Sequence, residues 1–144
     1  MSALPTLDVV NLVNRANVPA SVDATWALVG GFFDLHLFLD VACEAVSGDG
    51  DIGSVRQIGT GILEVMVGAG AFSYTYAQTH GPMSAHAYHG CVTCEASGAD
   101  ACVIVYTLVY DQSGIDPSLR ISEQERLSKR FAMAVDAMRL RASP

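Results

Sequence analysis

The chain has 144 residues, of which 51% are hydrophobic and only 16% charged, and its formal net charge is −7 at pH 7. This length predicts one domain, residues 1–144. The negative charge argues against a nucleic-acid partner, since phosphates need a basic surface. No apolar run reaches the roughly 18–20 residues of a membrane helix, and no secretory signal precedes the first elements, so we expect a cytoplasmic protein without a membrane span. A mean hydropathy of +0.33 favours a large core, an apolar cavity or a homodimer.

The first third of the chain predicts one strand and two short helices. Residues 6–18, "TLDVVNLVNRANV", are typical of a long strand that ends before Pro19. Ser21 is a favourable N-cap for a helix over 22–29, which Gly30 and Gly31 end. The segment "FFDLHLFLD" predicts a second short helix or turn.

A glycine-rich segment, "VSGDGDIG", contains the spacing G-x-G-x-x-G. This fingerprint indicates dinucleotide binding only between a strand and a helix. The residues that follow, "SVRQIGTGILEVMV", are rich in β-branched side chains and have no helical period. We therefore predict a glycine-rich hairpin rather than a dinucleotide site.

The remainder of the chain predicts further strands and one long helix. Strands are predicted over 71–79, 84–96 and 101–111, with a turn at "SGAD". On such a strand Cys91 and Cys94 point to opposite faces, which argues against a metal site made by both. Ser122 and Glu125 have capping-box spacing. An amphipathic helix follows, because apolar residues recur at helical spacing: Leu127, Phe131, Ala134, Val135 and Met138. The order predicts an α+β fold, an antiparallel sheet covered by the last helix.

Most of the basic residues lie near the C-terminus. Six of the eight follow Pro117: Arg120, Arg126, Lys129, Arg130, Arg139 and Arg141. They favour either an anionic membrane surface or a solvated helix face, and the interspersed acidic residues favour the second.

Four segments together resemble the SRPBCC superfamily, which includes birch-pollen-allergen-type, START-type lipid-transfer and polyketide cyclase/dehydrase-like proteins. The segments are "NRANVPASVDATWALVGGF", "GDGDIGSVRQI", "ILEVMVGAGAFSYTYAQTHGPMSAHAYHG" and "CVIVYTLVYD". The chain departs from the family pattern at three positions, Val65, Ser84 and Tyr106.

The resemblance implies a helix-grip fold. In that fold a seven-stranded antiparallel sheet wraps around the long C-terminal helix, two short helices follow strand 1, and an internal cavity holds an apolar small molecule. The resemblance also places Glu64, Tyr88 and Tyr106 at the cavity wall.

Glu64 and two histidines are the candidates for acid–base chemistry. Glu64 lies in an otherwise apolar strand, where burial would raise its pKa and suit it to proton transfer, although an outward Glu64 fits equally well. His86 and Tyr88 share one face of the predicted strand, and an imidazole exchanges protons near neutral pH. His80 falls where a loop would cover the cavity mouth. Each histidine is alternatively a surface residue.

A second group is expected to contact ligand. Tyr74 and Tyr76 share a strand face and either pack in the sheet or direct a hydroxyl to the cavity. Asp40 is expected near the rim or as a turn residue, and Arg56 pairs with a ligand carboxylate or with a neighbouring acid. Met133 fits the core or the cavity floor.

No metal site and no cofactor are assigned. A metal site would need His80 and His86 to converge with Glu64 or Asp40, which their spacing does not require.

The sequence leaves two main hypotheses for function. The first is an enzyme of cyclase, dehydratase or lyase type that acts on a hydrophobic, aromatic or polyketide-like substrate, with Glu64, His86, Tyr88 and Tyr106 as catalytic residues. The alternative is a protein that binds or transports a hydrophobic small molecule without transforming it. A third hypothesis is a subunit whose apolar surface serves a partner or a second copy.

Overall fold

The computed structural model describes residues 4–144. Seven antiparallel strands form one sheet in the order β1-β7-β6-β5-β4-β3-β2. The strands are β1 (Val9–Val18), β2 (Cys43–Ser47), β3 (Val55–Ile58), β4 (Ile62–Gly70), β5 (Ser73–His80), β6 (His89–Gly98) and β7 (Ala101–Asp111). The helices are α1 (Val22–Val29), α2 (Arg120–Ala142) and three 3₁₀-helices over Phe32–Leu37, Ser84–His86 and Pro117–Leu119. The predicted α+β fold is confirmed.

The two short helices after β1 follow the sequence prediction. The Ser21 hydroxyl accepts a hydrogen bond from the backbone N–H of Ala24, 3.2 Å away, which starts α1. The helix ends at Gly30, whose N–H donates to the Trp26 carbonyl. The next segment forms a 3₁₀-helix rather than an α-helix. Phe32 and Leu35 of this 3₁₀-helix are buried.

The glycine-rich segment forms the connection of the β2–β3 hairpin, as predicted. Gly48 has a φ of +86°, and a Cβ there would lie 2.7 Å from the Cα of Ser54. The Ser54 hydroxyl in turn accepts a hydrogen bond from the Gly50 N–H at 2.9 Å. The glycines therefore permit a tight chain reversal.

The long helix α2 covers the inner face of the sheet with the predicted apolar stripe. Leu127, Phe131 and Met138 are all buried, and Met138 has no exposed surface. The capping box at Ser122 was wrong, because α2 already begins at Arg120. Asp116 starts the preceding 3₁₀-turn by accepting a hydrogen bond from the Ser118 N–H, and that turn runs directly into the helix.

The segment before β6 differs from the prediction. A strand from residue 84 was wrong, since Ser84–His86 form a 3₁₀-turn and β6 begins at His89. The Gln78 side-chain oxygen accepts a hydrogen bond from the Met83 N–H at 2.8 Å, which folds this segment back over β5. Ala87 then adopts a positive φ of 50°. His86 and Tyr88 consequently do not share a strand face.

Two further structural observations bear on the sequence analysis. Cys91 is half-buried and Cys94 is buried, in the alternation expected for one strand. Within residues 4–144, no helix is long and apolar enough to cross a membrane.

Candidate functional site

A pocket of about 200 Å³ lies between the sheet and α2. Its apolar wall includes Leu35, Leu39 and Phe131. Its polar groups come from β4, β5, the residue before β6 and α2: Glu64, Tyr76, Gln78, Tyr88, Arg126 and Arg130. An apolar space with a few polar groups is the usual character of a small-molecule site.

Three polar side chains form a row across adjacent strands beside this pocket. Arg56 on β3 lies directly opposite Glu64 on β4, and Glu64 lies opposite Gln78 on β5. The Nε of Arg56 donates to Oε1 of Glu64 at 2.9 Å. The Nη2 atom lies 2.8 Å from the same oxygen, although it is off the hydrogen-bond direction. Both Arg56 contacts therefore fall on one oxygen of the carboxylate.

Arg56 is fixed by the core around it. Its Nη1 donates to the Phe32 carbonyl at 2.8 Å, and its guanidinium lies 4.3 Å from the Phe32 ring centroid and 4.5 Å from that of Tyr76. The side chain is fully buried. Of the two roles considered for Arg56, the ion pair with a neighbouring acid is the one the structure contains.

Glu64 is directed inward and is only 5% exposed. Burial raises the pKa of its carboxyl above the usual value, and the nearby charge and hydrogen bond of Arg56 only partly offset that effect. A carboxyl with a raised pKa at the wall of an apolar pocket is suited to general acid–base work.

The buried tyrosines act as neutral hydrogen-bonding groups. The hydroxyls of Tyr76 and Tyr106 are 2.7 Å apart, and the Tyr106 ring packs on Phe131 at a centroid distance of 4.7 Å. Burial raises the pKa of Tyr76, Tyr88 and Tyr106, so these hydroxyls keep their protons at neutral pH. Tyr76 and Tyr88 line the pocket, whereas Tyr106 does not line it and contacts two residues that do, Tyr76 and Phe131.

Gly90 provides the space for the Tyr76 ring. The two residues are paired across β5 and β6, and a Cβ at Gly90 would lie 2.5 Å from the Cε1 atom of Tyr76. A glycine at this strand position lets the ring lie across the neighbouring backbone.

Several sequence-predicted residues lie outside this pocket. His86 is half-buried and lies against Gly114 in the loop after β7. Its Cε1 atom is 3.5 Å from the position that a Cβ atom would occupy on Gly114. His80 is exposed and contacts Thr79. Tyr74 is buried beneath Phe32, with ring centroids 5.5 Å apart.

Asp40 and Met133 lie together in a groove on the outer side of α2. Placing Met133 in the core or on the cavity floor was wrong, because it is 65% exposed. Its position on α2 falls outside the buried stripe of the helix.

Gln78 and Arg130 are pocket residues that the sequence analysis missed. Gln78 follows Tyr74 and Tyr76 at the same strand period, so alternation alone would have found it. Arg130 lies at the edge of the apolar stripe, three residues after Leu127 and next to Phe131. Because Arg130 is charged, the sequence analysis assigned it to the solvated face of the helix.

A metal site would need His80 and His86 to converge with an acid such as Glu64 or Asp40, which the sequence did not require. Among residues 4–144 no group of three His, Cys, Asp or Glu side chains is arranged to hold a metal ion.

The sheet order, the hairpin connections and the long C-terminal helix define the helix-grip fold, which is the fold that the resemblance implied. The chain is similar to truncated norcoclaurine synthase from Thalictrum flavum, with a TM-score of 0.74 and 18% identity over 96% of each chain. The same enzyme in complex with dopamine and hydroxybenzaldehyde gives a TM-score of 0.71 and 18% identity, over 97% of this chain and 95% of that one.

Two bacterial structures are similar to the same degree. A protein from Thermobifida fusca gives a TM-score of 0.79 and 18% identity over 92% of each chain. A protein from Nitrosospira multiformis gives 0.74 and 15% identity, over 90% of this chain and 94% of that one. No protein-family model matches the sequence, and no curated protein matches it. These likenesses establish the fold and leave the function to the chemistry of the site.

Proposed function

We propose that this protein is an enzyme of cyclase, dehydratase or lyase type that acts on a hydrophobic, aromatic or polyketide-like substrate. The observation that carries the proposal is the Glu64 carboxylate, which is buried at the pocket wall and paired with Arg56 through one oxygen only. The proposal requires no cofactor.

Glu64 is the proposed general base, and in its protonated form the general acid. Arg56 holds Oε1, which leaves Oε2 to exchange a proton with a carbon acid or hydroxyl of the substrate. A raised pKa brings this carboxyl closer to neutral pH, where both protonation states are used in a cycle. The apolar walls strengthen each polar contact by excluding water.

Tyr88 and Gln78 are the proposed positioning groups. The Tyr88 hydroxyl is neutral and donates to a substrate oxygen, while the Gln78 side chain, beside Glu64, orients the carboxyl. Tyr106 acts through its hydrogen bond to Tyr76 rather than on the substrate. The similar norcoclaurine synthase structure with two aromatic molecules supports an aromatic substrate here.

The test is turnover of a panel of aromatic and polyketide-like ketones and alcohols by the wild type and by Glu64→Gln. We expect Glu64→Gln to lower kcat by about 100-fold or more, in the range of general acid–base catalysis, while Kd changes little. Tyr88→Phe should lower kcat less. His86→Ala is the matched control, because this histidine lies outside the pocket, and its turnover should equal that of the wild type.

The alternative function is binding or transport of a hydrophobic small molecule. It is supported by the neutral tyrosine hydroxyls, since these can hold a ligand without a reaction. If wild type and Glu64→Gln both bind panel compounds and neither converts them, the enzyme proposal fails and this alternative remains.

A further inference from the structure

A second space adjoins the pocket at its outer end. A groove of about 440 Å³ runs between α2 and the segment that ends at Asp40, and Phe38, Met133 and Ala137 give it an apolar lining. The groove and the pocket share Leu39, Arg126 and Arg130. The two spaces therefore lie next to each other, with Arg126 and Arg130 at their boundary.

Three cations from two successive turns of α2 line this groove: Arg126, Lys129 and Arg130. Arg126 is already paired with Glu123 one turn earlier. Within residues 4–144, no carboxylate oxygen lies within 4.0 Å of the charged nitrogens of Lys129 or Arg130. Asp40, the carboxylate in the groove, is thus not paired with either cation. In a chain of net charge −7, two cations without a direct ion-pair partner beside an apolar space favour a bound anion, although the charge of Arg130 also acts on Glu64 at longer range.

We infer that the ligand of this protein is an apolar carboxylic acid whose carboxylate is bound by Arg130, with Lys129 as a second contact, at the junction of groove and pocket. This inference rests on the proposed function and specifies the substrate class for the same site. A guanidinium binds a carboxylate through two parallel N–H donors. Arg130 is half-buried and shares its surroundings with Leu39 and Phe131, so its charge is less screened than that of a surface arginine.

The electrostatics of the inner pocket are compatible with an anionic ligand. Glu64 is compensated by Arg56, so its carboxylate is not an isolated negative charge facing the ligand. The bound carboxylate would sit on the α2 side, while the reacting part of the molecule extends towards the sheet. This arrangement also explains why Arg56, which is fully buried and paired, is not the residue that receives a ligand carboxylate.

Calorimetry with matched acid and ester pairs tests this inference. The probes are 2-naphthoate and methyl 2-naphthoate, and cinnamate and methyl cinnamate, titrated into the full chain. We expect the wild type to bind each acid at least tenfold more tightly than its ester, since a hydrogen bond to a charged group contributes about that factor. Arg130→Gln should remove most of the preference for the acid and leave the Kd of the ester unchanged, and Lys129→Gln should reduce the preference by a smaller factor.

Arg15→Gln is the matched control, because it removes the same charge from the exposed part of β1, away from the groove. It should bind acids and esters like the wild type. Raising the salt concentration should weaken binding of the acids but not of the esters.

Equal binding of acid and ester by the wild type would overturn the inference while the proposed function stands. Binding of no probe would overturn both. The wild type could instead bind phosphatidylserine vesicles but none of the free acids, and Arg130→Gln could lose vesicle binding. That result would overturn the inference in favour of a membrane contact. Circular dichroism of each variant verifies that the fold is retained.

Discussion

Replacing Arg56 with methionine removes the cation that compensates Glu64 and keeps an unbranched side chain of similar length. Glu64 is 5% exposed and Arg56 fully buried, so the variant leaves a carboxylate in the core without its partner. Breaking a buried ion pair in this way costs about 3–5 kcal/mol of unfolding free energy. The contacts of the guanidinium with the rings of Phe32 and Tyr76 are lost as well, which favours the upper end of that range.

Urea denaturation followed by fluorescence measures this loss, since Trp26 is the single tryptophan. With an m-value of about 2 kcal/mol per M, a loss of about 4 kcal/mol lowers the urea midpoint by about 2 M. Arg139→Met is the matched control, because it breaks an exposed pair with Asp136 and should cost about 0.5 kcal/mol. The double variant Arg56→Met, Glu64→Met should recover a large part of the loss.

The deficit of Arg56→Met should also depend on pH. Burial raises the pKa of Glu64, and the variant lacks the arginine that offsets this effect. The folded state then binds more protons than the unfolded state, so stability falls as pH rises through the folded-state pKa. The deficit should be smaller at pH 5 than at pH 7.5. A loss below about 1 kcal/mol, or a deficit that does not change with pH, would refute a charged, buried Glu64.

Three further predictions concern the core that holds the site. Gly90→Ala should cost about 3 kcal/mol in the same urea assay, because its methyl group overlaps the Tyr76 ring; an unchanged midpoint would show that the ring can move. Tyr106→Phe should cost about 1–3 kcal/mol by leaving the buried Tyr76 hydroxyl without its partner at 2.7 Å, and a gain in stability would contradict that hydrogen bond. Met138→Ala should cost about 2–5 kcal/mol and the exposed Met133→Ala less than about 0.5 kcal/mol; equal losses would contradict the orientation of α2.

The sequence predicted the regular elements well where local chemistry and tertiary structure agree. Ser21 and the following apolar residues fix α1, and the stripe from Leu127 to Met138 fixes the buried face of α2. The β7 strand was predicted with its observed bounds, since its β-branched and aromatic residues are continuous.

The errors have a common physical cause, which is a side-chain hydrogen bond to the backbone a few residues away that redirects the chain. The residues from Ser84 onwards resemble a strand, yet the hydrogen bond from Met83 to Gln78 turns that segment aside. Ser122 has the spacing of a cap, but the turn started by Asp116 begins the helix earlier. The alternation of apolar residues shows neither contact, although Asp116 followed by Pro117 is a local signal for the start of a helix.

The site was predictable only in part. Glu64, Tyr76 and Tyr88 could be placed at the pocket from the resemblance and from strand alternation. Arg130 could not, because only the folded chain brings its charge from the edge of the helix stripe to the pocket. The pairing of Arg56 with Glu64 depends on the β3–β4 register, which strand prediction does not supply.

The claim on which this account rests is that the pocket beside Glu64 is where a hydrophobic small molecule binds. Its most direct test is nuclear magnetic resonance of the full chain, labelled in its leucine methyl and aromatic groups and titrated with methyl 2-naphthoate and with 2-naphthoate. We expect saturable chemical-shift changes at Leu39, Tyr88 and Phe131. Changes confined to the outer face of the sheet, or none at any concentration, would contradict the account.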